Sequence, residues 1–111
     1  KDFIQNRIDA QGKSTNLIEG WQNCYVGPGV RTISVSSDGR YVFACVNEAS
    51  KIVAVDANTM KVVSEIAADS FPVGMEITDT NDFLFVTAQG KDSSGGGHSV
   101  MIYKLDYQRI N

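Results

Sequence analysis

The fold is decided by residues 35–63, "VSSDGRYVFACVNEASKIVAVDANTMKVV", because their order of strands and turns returns further along the chain. Residues 77–89, "ITDTNDFLFVTAQ", repeat the first half of this stretch at an offset of 42. The alignment places Gly39 opposite Asn81, and both residue types tolerate the positive φ that a tight hairpin turn requires. The apolar runs on either side of each turn are therefore predicted to form antiparallel hairpins.

The second half of the stretch also returns, at an offset of 50. Residues 52–56, "IVAVD", match residues 102–106, "IYKLD", and the eight extra residues fall in the segment 90–99, "GKDSSGGGHS". Asp56 and Asp106 each precede a short polar stretch, which predicts that each bonds its own backbone in an Asx turn. The first repeat then holds four strands, at 31–36, 41–46, 51–56 and 61–67. The second repeat holds three strands, at 74–78, 83–88 and 100–106.

The central strands are apolar at successive positions rather than at alternate ones. Residues 42–46, "VFACV", and 52–55, "IVAV", leave no polar face, so each strand needs cover on both sides of its sheet. Four-stranded antiparallel meanders stacked face to face around an axis supply this cover, and such β-propeller blades run about 40–50 residues. The sequence predicts an all-β fold made of β-propeller blades. Known propellers close with about 4–8 blades, so this chain is predicted to be an incomplete propeller of about two blades.

Three parts of the chain follow from the repeat. Residues 29–72 are predicted to form the first complete blade, and residues 73–111 a second blade that lacks its last strand. Residues 1–28 allow two interpretations, the outer strands of a preceding blade or an extension outside the propeller. Two blades alone would leave large apolar faces in water. We therefore expect self-association or contact with the remaining blades of a larger propeller, and favour a piece of a longer protein over a natural short protomer.

Composition disfavours several classes of function. The chain has 13 acidic and 10 basic residues and no basic block, so nucleic-acid binding is not expected. No apolar stretch reaches the roughly 18 residues that a membrane-spanning helix needs. Cys24 and Cys45 fit either two small buried side chains or one disulfide, and no Cys/His cluster has metal-ligand spacing. The sequence predicts no catalytic residue, no metal site and no cofactor.

Residues 29–111 resemble the YVTN repeat of bacterial and archaeal β-propellers. The matching segments are "SDG" at 37–39, "YVF" at 41–43, "IVAVD" at 52–56, "KVV" at 61–63 and "FPVG" at 71–74. The second repeat is a weaker match, because it lacks the Asp-Gly turn and carries the glycine-rich insertion. The resemblance implies a propeller of the surface-layer or lactonase-like kind, in the periplasm, the cell envelope or outside the cell.

The candidate site lies in the loops at one rim of the propeller. Ligands of propellers usually sit at the mouth of the central channel, and the alignment places the loops 24–29, 47–50, 68–71 and 90–99 at one rim. Loops on a rigid scaffold often carry function, although a solvated insertion would give residues 90–99 the same composition. The residues predicted to contact a ligand or partner are Asn47, Glu48, Asp69, Phe71, Lys91, Asp92 and His98.

Three functions fit these residues to different degrees. The favoured one is a non-catalytic binding or scaffold module that presents the rim loops to a protein or glycan partner, and an enzyme is not favoured for this chain alone. The alternative is a fragment of a lactonase-like propeller hydrolase, with a divalent metal at the channel mouth held by Glu48, Asp69 and Asp92. A haem-carrying propeller ranks last, because His98 is the only histidine and no CxxCH motif is present.

Overall fold

The computed structural model describes residues 22–90 and 96–110, which form two antiparallel sheets. The first sheet has the strand order β1-β2-β3-β4 and the second has the order β5-β6-β7. The strands are β1 Val30–Val35, β2 Tyr41–Val46, β3 Lys51–Asp56, β4 Lys61–Ala67, β5 Pro72–Ile77, β6 Phe83–Ala88 and β7 Ser99–Lys104. A 3₁₀ turn at Asn47–Ala49 and the single-turn helix α1 at Tyr107–Ile110 complete the described elements. The all-β class, the meander order and the incomplete propeller of about two sheets are confirmed.

The two hairpin turns have the same geometry, as the alignment predicted. Gly39 has φ of 74° and Asn81 has φ of 64°. The N–H of Gly39 donates to the carbonyl of Ser36 at 2.8 Å, and the N–H of Asn81 donates to the carbonyl of Thr78 at 2.8 Å. The repeat therefore reproduces the turn even though glycine is replaced by asparagine.

The third strand of each sheet ends in the predicted Asx turn. The Oδ1 atom of Asp56 accepts a hydrogen bond from the N–H of Asn58 at 2.8 Å. In the second sheet, Oδ1 of Asp106 accepts from the N–H of Gln108 at 3.2 Å. Both aspartates therefore bond backbone groups of the turn that follows them.

The core lies between the two sheets, which pack face to face. One buried cluster joins side chains of both sheets, namely Tyr41, Phe43, Cys45, Ile52 and Ala54 of the first and Leu84 and Val86 of the second. The opposite face of the first sheet buries Val46, Val53 and Val55, with Cys24 and Val26 packed on them. Strands β2 and β3 are thus covered on both faces, which explains why residues 42–46 and 52–55 are apolar at successive positions.

The second sheet is covered on one face only by the described residues. Along β6, the buried residues Leu84 and Val86 alternate with exposed Phe83 and Phe85. The neighbouring strand β7 exposes Val100 and Ile102 on the same side. We call the surface made by Phe83, Phe85, Val100 and Ile102 the outer face of the second sheet.

The two cysteines are free, so the structure selects one of the two interpretations of the sequence. Cys45 is completely buried between the sheets, and burial raises the pKa of its thiol to about 11. Cys24 is half-buried on the other face of the first sheet. Both side chains pack as small apolar groups.

Among the described residues, no helix is long and apolar enough to cross a membrane.

Candidate functional site

The predicted rim forms at one end of the two sheets. Because neighbouring strands are antiparallel, the β2–β3, β4–β5 and β6–β7 connections all meet at this end. The N–H of Ala68 donates to the carbonyl of Ser50 at 2.9 Å, and the N–H of Gln89 donates to the carbonyl of Phe71 at 2.8 Å. These bonds tie the connections of the first sheet to those of the second. The rim is therefore a backbone-bonded surface rather than a set of separate loops.

Asn47 and Phe71 join the two sheets at the rim. The Nδ2 group of Asn47 donates to the carbonyl of Pro72 at 3.0 Å, and its backbone N–H donates to the carbonyl of Gly29 at 2.7 Å. Phe71 has a positive φ of 53°, and its N–H donates to Oγ of Ser50 at 3.4 Å. Both residues thus hold the start of β5 in place, and their role as ligand contacts stays a prediction.

Asp69 organises the glycine-rich connection between β6 and β7. Its Oδ1 atom accepts hydrogen bonds from the N–H groups of Gly97 at 3.0 Å and Ser70 at 2.7 Å. Its Oδ2 atom accepts from Oγ of Ser99 at 2.7 Å. The bond from Gly97, followed by those from Ser99 and Ser70, lowers the pKa of Asp69, and the nearby His98 acts in the same direction. The hydrogen bonds that position this connection thus also favour the ionised form of the Asp69 carboxylate.

The other predicted rim residues are placed only in part. His98 is exposed with φ of 61°, and its N–H donates to the carbonyl of Ala88 at 2.9 Å. Glu48 is exposed on the 3₁₀ turn, where its side chain lies against Gly29. Lys91 and Asp92 lie outside the described residues. The structure therefore puts His98 beside Asp69 at the rim that also carries Glu48, and a shared ligand remains a prediction.

The proposed carboxylate set of a lactonase-like site is not assembled by the part of the chain that is described. Within residues 22–90 and 96–110, no group of three or more His, Cys, Asp or Glu side chains is placed to hold a metal ion. Asp69 directs both of its oxygens to donors of the protein itself, on the adjacent Ser70 and on Gly97 and Ser99 of the β6–β7 segment. The third expected member, Asp92, lies outside these ranges. The metal site of the alternative function therefore gains no support from Glu48 and Asp69.

A contact between the two hairpin turns was not predicted from the sequence. The N–H of Ser37 donates to Oδ1 of Asn81 at 3.0 Å, and Nδ2 of Asn81 donates to Oγ of Ser37 at 2.7 Å. The hydroxyl of Tyr107 donates to the carbonyl of Asn81 at 2.7 Å. The available signal was that asparagine, unlike the glycine it is aligned with, carries a side-chain amide. This reciprocal pair joins the sheets at the end opposite the rim.

A groove between the two sheets was likewise missed. It has a volume of about 330 Å³ and lies where β3 and β4 of the first sheet face β7 of the second. Its lining consists of Phe43, Ile52, Ala54, Ser64, Glu65, Ile66, Leu84, Tyr103, Lys104, Leu105, Asp106 and Arg109. We call it the edge groove, because β7 is the edge strand of its sheet. A sequence pattern could not reveal it, since its walls come from separate repeats.

Replacing Asp69 with asparagine is expected to destabilise the protein near neutral pH and to have little effect in acid. The pKa of Asp69 is lowered by folding, so its stabilising contribution is complete above the unfolded-state pKa, near 3.8. That contribution is lost as the pH falls through the lower folded-state pKa. Urea unfolding of both proteins at about pH 7 and about pH 2 measures this difference. A gap in unfolding free energy that is equal at the two pH values would contradict the assignment.

This chain is similar in structure to parts of known proteins. No protein-family model matches the sequence, and no curated protein matches it significantly. Hydrazine synthase of Kuenenia stuttgartiensis is similar to this chain at 29% sequence identity, with a TM-score of 0.61 over 84% of the chain. The match covers 24% of the hydrazine synthase chain, so this chain spans only that share of its length. The β-propeller domain of Myceliophteria thermophila Cps50 (Swd1) matches at 12% identity and a TM-score of 0.46, covering 72% of this chain and 30% of that one.

Proposed function

We propose that this chain is a blade-stacking scaffold module, a two-blade part of a β-propeller that packs against further blades and presents its rim loops to a partner. One observation carries the proposal. The outer face of the second sheet has the same chemistry, at the same strand positions, as the face of the first sheet that is already buried by a neighbouring sheet.

The aromatic side chains at aligned positions of the two repeats differ in how much of their surface is exposed. In the first sheet, Tyr41 and Phe43 are 3% and 2% exposed, because the second sheet packs on them. The aligned residues of the second sheet, Phe83 and Phe85, are 38% and 36% exposed. Ile102, aligned with buried Ile52, is 63% exposed. A further blade of the same kind is therefore the surface that fits this face.

The face of the first sheet that points away from the second sheet offers the complementary surface along β1, beside the part that Cys24 and Val26 cover. Ile33 and Val35 are 56% and 46% exposed there. Their aligned residues in the second sheet are Met75 and Ile77, which pack against the buried cluster between the sheets. The two outer faces are thus different and mutually complementary. Such faces give head-to-tail stacking, which closes into a ring when the rotation per step allows it.

The rim supports the second part of the proposal. The loops there are held by the hydrogen bonds of Asn47 and Asp69, and they carry the exposed side chains of Glu48 and His98. We propose that they contact a protein or glycan partner. The similar region of hydrazine synthase is 24% of a longer chain, which agrees with a module that belongs to a larger unit. The resemblance to YVTN repeats alone supports a place in the periplasm, the cell envelope or outside the cell.

The test of stacking is the solution mass. The wild-type chain is expected to sediment above its monomer mass of 12.1 kDa, in a manner that increases with concentration. The double variant Phe83→Ser, Phe85→Ser is expected to shift the protein to the monomer, because full burial of one phenylalanine contributes about 1.5–3 kcal/mol. Analytical ultracentrifugation over a range of concentrations measures both.

The matched control is Ile66→Ser, which removes an apolar side chain that is 48% exposed but lines the edge groove instead of either outer face. It should leave the association unchanged. Wild-type protein that stays a 12.1 kDa monomer at every concentration would refute the stacking role. Equal association of the double variant and the control would show that the outer face of the second sheet is not the contact.

A further inference from the structure

The sulfur of Met101 links strand β7 to the connection between β4 and β5. The backbone N–H of Asp69 donates to Sδ of Met101 at 3.0 Å, and the hydroxyl of Tyr103 lies 3.1 Å from the same sulfur. This hydroxyl also lies 3.2 Å from the carbonyl of Ala67, so its single proton is shared between two acceptors. A thioether is a weak acceptor, and two donors that converge on one sulfur are therefore an unusual arrangement.

The link supports the residue that organises the rim. Met101 holds Asp69 through its backbone N–H, while the carboxylate of Asp69 accepts hydrogen bonds from Gly97 and Ser99. One chain of hydrogen bonds thus runs from the sulfur through Asp69 to the connection between β6 and β7. A displacement of the Asp69 backbone would be passed on to this connection, because both carboxylate oxygens are bonded to it.

Met101 differs from the other methionines of the chain. Within residues 22–90 and 96–110, it is the methionine whose sulfur accepts hydrogen bonds. Met75 packs against the buried cluster between the sheets, as Met101 does, and Met60 lies in the turn between β3 and β4. Met101 is only half-buried, and the bond of Tyr103 beside it lies at the surface. A small oxidant can therefore approach the sulfur.

We propose that Met101 is an oxidation site through which hydrogen peroxide loosens the rim. The sulfur attacks one oxygen of the peroxide, so that a sulfur–oxygen bond forms as the oxygen–oxygen bond breaks. The attacked oxygen gives its proton to the departing hydroxide, which leaves as water. The sulfur, oxidised by two electrons, becomes a sulfoxide. This inference goes beyond the proposed function, because it assigns a chemical modification that blade stacking does not require.

Oxidation alters both kinds of contact that Met101 makes. The new oxygen occupies a lone-pair direction of the sulfur, where a donor now lies, and the sulfur itself becomes a poorer acceptor. The polar sulfoxide is also unfavourable against the apolar cluster between the sheets. Both effects displace Asp69 and weaken its bonds to the β6–β7 connection. A methionine sulfoxide reductase restores the thioether, so the change is reversible.

The test uses the double variant Met60→Leu, Met75→Leu, which keeps Met101 alone of the three methionines. Leucine nearly conserves the volume of methionine, so the fold should be retained. The protein is treated with hydrogen peroxide and then with dithiothreitol, which reverses disulfides and sulfenic acids but not methionine sulfoxide. Tandem mass spectrometry locates the added oxygen, and hydrogen exchange followed by NMR measures the backbone amides.

We expect Met101 to gain one oxygen and the amides of Asp69 and Gly97 to exchange at least about ten-fold faster afterwards. The amide of Gly39, bonded at the opposite end of the sheets, should change by less than about two-fold. Methionine sulfoxide reductase should restore the original rates. The matched control is Met101→Leu, which keeps the other two methionines. Peroxide should leave its Asp69 and Gly97 amides unchanged.

Three results would overturn the inference. Met101 that stays unmodified in the wild type when Met60 is fully oxidised would show that peroxide does not reach its sulfur. Oxidised Met101 with unchanged exchange at Asp69 and Gly97 would show that the sulfur does not hold the rim. A rise in exchange in Met101→Leu would assign the effect to another residue. The oxidised protein should keep its solution mass, because the outer face of the second sheet is unaltered, so this failure and that of blade stacking are distinguishable.

Discussion

Replacement of Leu84 with alanine is expected to lower the free energy of unfolding by about 2–5 kcal/mol. Leu84 is 1% exposed and belongs to the cluster that joins the two sheets. The truncation removes apolar contacts and leaves a cavity, since the hydrogen bonds that join the sheets at Asn81 and Asn47 limit how far the sheets can close on it. The loss is a large fraction of the roughly 5–15 kcal/mol that stabilises a typical domain.

Urea unfolding followed by circular dichroism measures this loss, at one fixed protein concentration because association adds to apparent stability. The control is Leu84→Met, which nearly conserves side-chain volume and should cost less than about 1.5 kcal/mol. If Leu84→Ala cost less than about 1 kcal/mol, the two sheets would not share a cooperative core.

The second large effect is expected for Gly97→Ala, which combines backbone strain with a direct clash. Gly97 has φ of 84°, and a Cβ atom there would lie 2.5 Å from both N and Cα of Gly90. These are backbone atoms, so the connection between β6 and β7 must shift. The N–H of residue 97 would then move away from Oδ1 of Asp69, and the hydrogen bond between them would be lost. We expect a loss of about 2–4 kcal/mol, the sum of left-handed strain and the broken contact.

Gly39→Ala is the matched control, because it carries the strain without the clash. Gly39 has φ of 74°, and nothing lies within 4 Å of the position that a Cβ atom would take there. Its loss should stay near the strain of about 1–2 kcal/mol. Urea unfolding compares the two variants, and hydrogen exchange of the His98 amide reports the connection directly. Equal losses for the two variants would mean that residues 90 and 97 are not in close contact.

The sequence predicted the strands well because the strand and turn pattern occurs twice and because its central strands are continuously apolar. Strands β2, β3, β4 and β6 have the predicted bounds. Continuous apolar runs indicated cover on both faces, and the burial of β2 and β3 agrees. The alignment of Gly39 with Asn81 indicated that both repeats have the same turn, since only a few residue types accept positive φ. These inferences needed only the order of residues within each strand and turn and the alignment of the two repeats.

The contacts between repeats could not be predicted in the same way. The bond between Asn81 and Ser37 spans 44 positions, and the link from Asp69 to Ser99 spans 30. No spacing rule connects such partners, because they depend on how two sheets are rotated on each other. The edge groove has the same origin. For the rim, the sequence predicted which loops would meet, but not that Asn47 and Asp69 would bond the backbone.

The two sheets are bonded to each other at both ends and in between. Ser37 and Asn81 close one end, Asn47 and the carbonyl of Pro72 close the other, and Thr32 donates to Val73 on the strands themselves. The described pair of sheets is therefore held at its angle by hydrogen bonds at three places. The curvature of any ring built from it is set inside the pair before another blade arrives. Replacing Asn81 would thus change the angle between the two sheets, and with it the curvature of such a ring. The surface where the next blade docks would stay unaltered.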